Sequence, residues 1–314
     1  MTMSLPRQGQ EDPLAIVRRL RPWLPIMVVL AMVLFFSLAT DSFFTLRNFT
    51  AITGQASTLL LACLGATFVI LMGSIDLSVG AMVLLVGAIT VKLLGVYDFG
   101  MATLLPAILV GALLGMANGF VFAFGGIPSF VVTLGSLSVF TGAAWLILEG
   151  RALRFASYAF EELAIGQLIP ALPNIALIAI LAWAAMVFVC FRTRFGRYMY
   201  VIGGGEAVAR TAGLPVRRYK IYAFALSGAA AGLAGALAVA RVGAAGPTLG
   251  SDLLLNTLAA IVVGGTSLSG GVGGVHRTLI GVLIISLLDS GLNQMGVNQY
   301  VQMIVKGLVV ILAV

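Results

Sequence analysis

The stretch GSIDLSVG, residues 73 to 80, sets the carboxylate of Asp76 between Ser74 and Ser78 and brackets all three with Gly73 and Gly80. Three kinds of chemistry suit these residue types at this spacing. Serine and aspartate accept hydrogen bonds from the free amides of a helix start, so the segment reads as a helix break that carries its own cap. The same groups would hydrogen-bond a polar solute. A proton relay would need further ionisable groups within reach, and these are sparse: Lys92, Asp289 and Lys306, with Glu149, Arg241 and Asp252 near the ends of apolar runs. A carboxylate at the centre of a membrane helix costs about 2.5 to 3.5 kcal/mol, so Asp76 is expected to face a protein interior or water and to have partners, with Ser74 and Ser78 the nearest.

Catalytic and metal-ligating sets are missing from the sequence. The only histidine, His276, stands beside Arg277 at the edge of an apolar run and reads as an interfacial residue. Cys63 and Cys190 fall inside apolar runs, where free cysteine behaves as a small hydrophobe, and their spacing matches no metal site. The G-x-x-x-x-G-K-[ST] arrangement that holds a nucleotide is also missing. The expectation is a non-catalytic chain that binds no metal or cofactor, with any ATP handled by another subunit.

The elements that must position these residues are membrane helices. Of 314 residues, 61% are hydrophobic and 9% charged, against about 25% charged in a soluble domain. A hydrocarbon core needs roughly 20 apolar residues per helix, and the long continuous runs favour helices over a barrel's alternating segments of about 10. Ten candidate spans lie near 22 to 40, 49 to 72, 76 to 96, 101 to 124, 128 to 149, 171 to 191, 219 to 241, 252 to 270, 277 to 293 and 299 to 314. The fold class is an all-α, polytopic membrane bundle of about ten helices, one domain over residues 1 to 314. The first span is read as a retained helix rather than a signal peptide, because nine more follow it.

Charge sets the expected topology. Four basic residues, Arg7, Arg18, Arg19 and Arg21, precede the first span, and seven lie in residues 192 to 220. Placing both segments in the cytoplasm satisfies the positive-inside rule and puts the amino terminus inside. The net charge of +7 sits at membrane flanks and is not interleaved with exposed aromatics, so nucleic acid is not an expected partner. The inside loop carries Gly203, Gly204 and Gly205, then a helix-capable run from Glu206 to Thr211 with Ala207 and Arg210, then Gly213 and Pro215 as stops. A short helix between breakers suits docking on a partner.

Glycine is phased as well as abundant. Gly111, Gly115 and Gly119 are spaced by four, as are Gly228 and Gly232, a spacing that lets helix backbones approach closely. An internal repeat aligns Gly73, Leu77, Ser78 and Gly80 with Gly264, Leu268, Ser269 and Gly271. Related halves with interrupted helices suit a transporter whose site lies between the repeats. A neutral, hydroxyl-rich cargo suits the scarcity of charge, and Asn118, Thr133, Asn293 and Gln294 join Asp76, Ser74 and Ser78 as candidate path residues.

Five stretches in order, GSIDLSVG, IPSFVVTLGSLSVFTG (127 to 142), FGRYMYVIGGGEAVARTAG (195 to 213), LAAIVVGGTSLSGGVG (258 to 273) and the closing VKGLVVILAV, carry a resemblance over about residues 15 to 314. The chain resembles the membrane permease subunits of ABC importers of the ribose, xylose and arabinose type, in a larger family that includes branched-chain amino-acid permeases. The resemblance implies a coupling helix in the loop from Gly203 to Gly213, with Glu206 and Ala207 in the acidic-alanine motif that docks on the ATPase. It implies a second permease chain, identical or not, a cytoplasmic ATP-binding subunit, an extracytoplasmic solute-binding protein, and residence in the bacterial inner membrane among its lipids. Three departures stand out: Gly205 where the family often has Asn, LLLN at 253 to 256 where it often has acidic residues, and a short tail at Val314. The second points to a different solute or to unlike permeases. The competing reading is a secondary carrier driven by an ion gradient, which would leave the basic, breaker-bounded loop unexplained; an intramembrane enzyme ranks last.

Overall fold

The computed structural model describes residues 24–313; Arg7, Arg18, Arg19 and Arg21 lie outside the described residues. Thirteen α-helices among the described residues form the bundle: α1 (Leu24–Ala39), α2 (Leu46–Leu71), α3 (Val79–Gly95), α4 (Leu104–Gly125), α5 (Ser129–Leu148), α6 (Tyr158–Ile165), α7 (Asn174–Arg192), α8 (Arg194–Gly204), α9 (Glu206–Thr211), α10 (Val216–Val242), α11 (Leu253–Val263), α12 (Val275–Gln294) and α13 (Gln299–Ala313). Two short antiparallel strands, β1 (Leu153–Arg154) and β2 (Ala244–Ala245), pair at one end. The all-α expectation holds. Six helical segments are long and apolar enough to cross a membrane, and four shorter apolar helices accompany them.

α10 is the hub. Glycines on α10 or on the facing helix bring three neighbours to backbone distance, because side chains would hold the helices apart where lipid offers no hydrophobic drive to join them. Against α4, a Cβ on Gly115 would collide with the Phe224 carbonyl and one on Gly228 with the Gly111 carbonyl. Against α2, a Cβ on Gly65 would collide with the backbone at Ser227. Against α3, one on Gly235 would stand 2.6 Å from the Val83 carbonyl. The glycine spacing in the sequence therefore marked a real seam, and the fold supplies its partner: α4 packs on α10. The main apolar core lies between α2, α3 and α10, where Leu61, Phe68, Met82 and Phe224 are fully buried.

Where α2 stops, the chain reverses. Gly73, at a φ of +76°, takes the left-handed conformation that side chains disfavour, and the unwound segment leads straight into α3. The break at 73 to 78 is a turn between two helices and not a gap within one. The expected span 252 to 270 is corrected: α11 ends at Val263, because Gly265, Gly270, Gly271, Gly273 and Gly274 all adopt positive φ and residues 264 to 274 cannot continue a helix.

The two copies of the repeat meet. A Cβ on Gly270 would stand 2.6 Å from the Gly73 nitrogen, and the Gly271 amide donates to the Leu71 carbonyl at 2.8 Å. The end of α8 joins them: a Cβ on Gly203 would strike the Leu71 carbonyl, and one on Gly271 would lie 3.0 Å from the Gly204 nitrogen. Helix α8 was not expected from the sequence. Its buried Gly196, Met199 and Ile202 recur every third residue, so it lays one face on the bundle.

Candidate functional site

Three polar constellations stand out. The first surrounds Asp76, which is 3% exposed. Its Oδ1 accepts from the Ser78 amide at 3.0 Å and the Ser78 hydroxyl at 2.6 Å, and its Oδ2 accepts from the Ser227 hydroxyl of α10 at 2.9 Å. Asn118 of α4 donates to Ser78 Oγ at 2.9 Å and accepts from Ser136 of α5. Ser129 and Thr133 of α5 accept from the amides of Ile75 and Leu77, each at 3.1 Å. The unwound backbone is thus satisfied by side chains from the helices around it, as buried amides require. The expected cap is not formed: Asp76 takes the amide of Ser78, the residue before α3, and none of the free amides inside the helix, while Ser78, Asn118 and Thr133 are gathered around it. Ser74 is buried nearby without an Asp76 hydrogen bond; its amide donates to the Val69 carbonyl.

The second is a polar cavity of about 450 Å³ walled by α2, α10, α11, α12, α13 and the loop before α11. Gln55 and Thr58 of α2, Arg241 of α10 and Asn256 of α11 line it, as do Ser286, Asp289 and Asn293 of α12 and Gln302 and Lys306 of α13. Lys306 Nζ lies 2.7 Å from Asp289 Oδ1, an ion-pair distance without the alignment of a hydrogen bond. Asn256 Nδ2 donates to Asp289 Oδ2 at 3.4 Å. Three groups on the wall, Asn256 Oδ1, Ser286 Oγ and Arg241 Nε, have no partner among the described residues. Buried polar atoms without partners are costly, and these three belong to wall residues but are themselves closed off from solvent. Asn293 lies here. Gln294 instead donates to Asn48 Oδ1 at 3.0 Å and accepts from Ser42, tying α12 to the start of α2.

The third constellation is the loop of residues 192 to 220. The helix expected from Glu206 to Thr211 is α9, with those bounds. Glu206 Oε1 accepts from Lys220 Nζ at 2.9 Å and Arg210 Nε at 3.1 Å. Partial burial pushes the Glu206 carboxyl up, but the hydrogen bonds from Lys220 and Arg210 outweigh it and hold the group below its ordinary value. It is ionised at neutral pH, and the stability the cluster adds is lost only as pH falls through that lowered pKa. Gly204 and Gly205 join α8 to α9, Ala207 lies in the first turn of α9, and Gly213 follows at a φ of +80°. Val208 is 68% exposed, an apolar side chain presented outward on a helix held by ion pairs.

Gln55, Thr58, Ser286 and Gln302 were not singled out from the sequence, and Asn256 was noted only as a departure from the acidic residues that the resemblance implies. Each is one polar residue in an apolar run, which by itself signals little. Asp289, Lys306 and Arg241 were noted as ionisable but given no role.

Comparisons with known proteins agree with one another. The family described as the permease component of the branched-chain amino acid transport system matches residues 48–314. The ribose import permease protein of Escherichia coli K12 is 36% identical over 293 residues, covering 92% of this chain and 91% of that one. Its Bacillus subtilis counterpart is 37% identical over 304 residues, covering 95% and 92%. The D-allose transport system permease protein of E. coli K12 is 35% identical over 294 residues, covering 92% and 88%. No solved structure matches the chain.

Proposed function

We propose, on the premise that this chain belongs to the permease-component family of the branched-chain amino acid transport system, that it carries a neutral monosaccharide through its polar cavity. It is the membrane subunit of an ABC sugar importer. The polar lining of that cavity, with Gln55, Thr58, Asn256, Ser286, Asn293 and Gln302 on its wall, carries the assignment of the path. Hydroxyl-rich cargo offers both donors and acceptors to such groups, and the few contacts leave it free to move on. The cavity lies between three long apolar helices, α2, α10 and α12, and two shorter ones, α11 and α13.

In this reading the six long apolar helices and α1, α3 and α13 cross the membrane, α11, only 11 residues long, makes the tenth pass together with the non-helical residues 246 to 252 before it, and the amino terminus is in the cytoplasm. The loop bearing α9 lies in the cytoplasm and docks on a separate ATP-binding subunit, where ATP is bound and hydrolysed. Two permease chains stand side by side, and a solute-binding protein delivers from the opposite face. The Asp76 network, with Ser74, Ser78, Asn118 and Thr133, lines no part of this cavity and braces the turn before α3 against α4, α5 and α10, whereas Asn293 lines the path itself. Gly204, Gly205, Glu206, Ala207, Arg210 and Gly213 form the docking segment. Backbone contacts of Gly203 and Gly204 with Leu71, Gly270 and Gly271 join that segment to both repeat turns.

The test is Val208→Asp. A buried hot-spot side chain at an interface is worth about 2 kcal/mol or more, roughly a thirtyfold loss of affinity. The variant is expected to fold as wild type, to lose its co-purifying ATPase and to stop uptake. Normal uptake in Val208→Asp would sink the docking assignment and restore the gradient-driven carrier.

A further inference from the structure

Asp289 and Lys306 sit on the cavity wall with most of their bonding capacity unused. Their side chains are each 9% exposed, so the pair is nearly removed from bulk water. A carboxylate offers about four acceptor positions and an ammonium three donors. Here Asp289 is met by Lys306 and Asn256, and Lys306 by Asp289, among the described residues. Beside them stand the unpartnered Asn256 Oδ1 and Ser286 Oγ. Acceptor and donor thus lie next to one another at the spacing of an ion pair, facing the same cavity. The other charged residues on its wall, Arg241 and Asp252, are also one of each sign, so the cavity's formal charge is zero.

We propose that the Asp289–Lys306 pair is the specificity element of this cavity: it reads adjacent hydroxyls of a neutral polyol and rejects solutes carrying net charge. One hydroxyl of a vicinal diol donates to Asp289 while its neighbour accepts from Lys306, and both bonds are charge-assisted. An anionic sugar acid could pair with Lys306, or an aminosugar with Asp289, only by breaking the buried ion pair and leaving its other member uncompensated. The inference rests on the reading that the cavity carries the solute.

The experiment places Ser251→Cys, on the cavity wall, in the full-length chain in nanodiscs. Cys63 and Cys190 are 0% and 1% exposed and supply no background. Labelling rates are measured with a cationic and an anionic thiosulfonate reagent, with and without D-ribose as the neutral polyol. Asp289→Asn leaves Lys306 uncompensated and is expected to raise the anionic-to-cationic rate ratio about tenfold, the effect of one unit charge at a partly screened site. Lys306→Gln is expected to lower it about as much, and the double variant Asp289→Asn/Lys306→Gln to restore it. D-ribose is expected to slow labelling of the parent and to protect each single variant less. Because breaking a buried pair destabilises, the double variant keeps the test intact if a single one fails to fold: its ratio must match the parent while its D-ribose protection falls. Labelling with an unchanged ratio in the single variants, or undiminished D-ribose protection in the double variant, would overturn the specificity role and leave the path in place. A Ser251→Cys chain that no reagent reaches would overturn the path reading itself, and this proposal with it.

Discussion

Gly115→Val is expected to leave almost no folded protein in the membrane. The Cβ it adds would lie inside the Phe224 carbonyl oxygen and 3.0 Å from the Gly228 Cα, and both are backbone atoms that no rotamer change can move. The only relief is for α4 to back away from α10. Overpacking within side chains costs about 1 to 3 kcal/mol, and a backbone collision on the hub helix is expected at or beyond the top of that range. Separation would also carry Asn118, less than one turn along α4, away from Ser78. Gly135→Ala is the control, since a Cβ there meets nothing within 4 Å. The measurement is the thermal midpoint of the detergent-solubilised chain by size exclusion. A Gly115→Val chain as stable as the Gly135→Ala chain would contradict the close packing of α4 on α10.

The second large effect is expected at Asp76. Asp76→Leu removes the acceptor of three hydrogen bonds, from the Ser78 amide, the Ser78 hydroxyl and the Ser227 hydroxyl. A buried donor left unsatisfied costs about 1 to 3 kcal/mol. The amide cannot turn elsewhere, whereas the hydroxyls can rotate, so the expected loss is roughly 3 kcal/mol or more. Asp76→Asn keeps an oxygen for Ser78 and turns an NH₂ toward Ser227, which can accept. It should retain partial uptake with a flat pH dependence. Complete loss of accumulation in Asp76→Asn, with the fold intact, would instead mean that Asp76 exchanges protons, as in an ion-driven carrier. The two substitutions separate a positioning carboxylate from a titrating one because they differ in bonding capacity while both lack the charge.

Much of this molecule is legible in its sequence. The apolar runs marked the long helices to within a few residues, since a backbone in lipid must satisfy its amides within the segment. Gly203 to Pro215 delimited α9 because breakers act locally. Gly73 and the polar run to Ser78 announced the break for the same reason, but not that Asp76 would reach Ser227 of α10 instead of the free amides of α3. The run from 252 to 270 misled because its apolar residues outweighed glycines whose positive φ only the folded chain reveals.

What the sequence determined by itself was local: which segments are helical and apolar, where they break, and which glycines permit a close approach. What only the tertiary structure decided was which surfaces meet. The sequence did not say that Gly111 and Gly115 would face α10, or that the repeat turns would touch each other and Gly203. It also did not say that Gln55, Asn256, Ser286, Asp289 and Lys306 would line one cavity. Periodicity fixes the faces of a helix along its own axis, but rotation and approach between helices far apart in the chain are set by how their surfaces pack together.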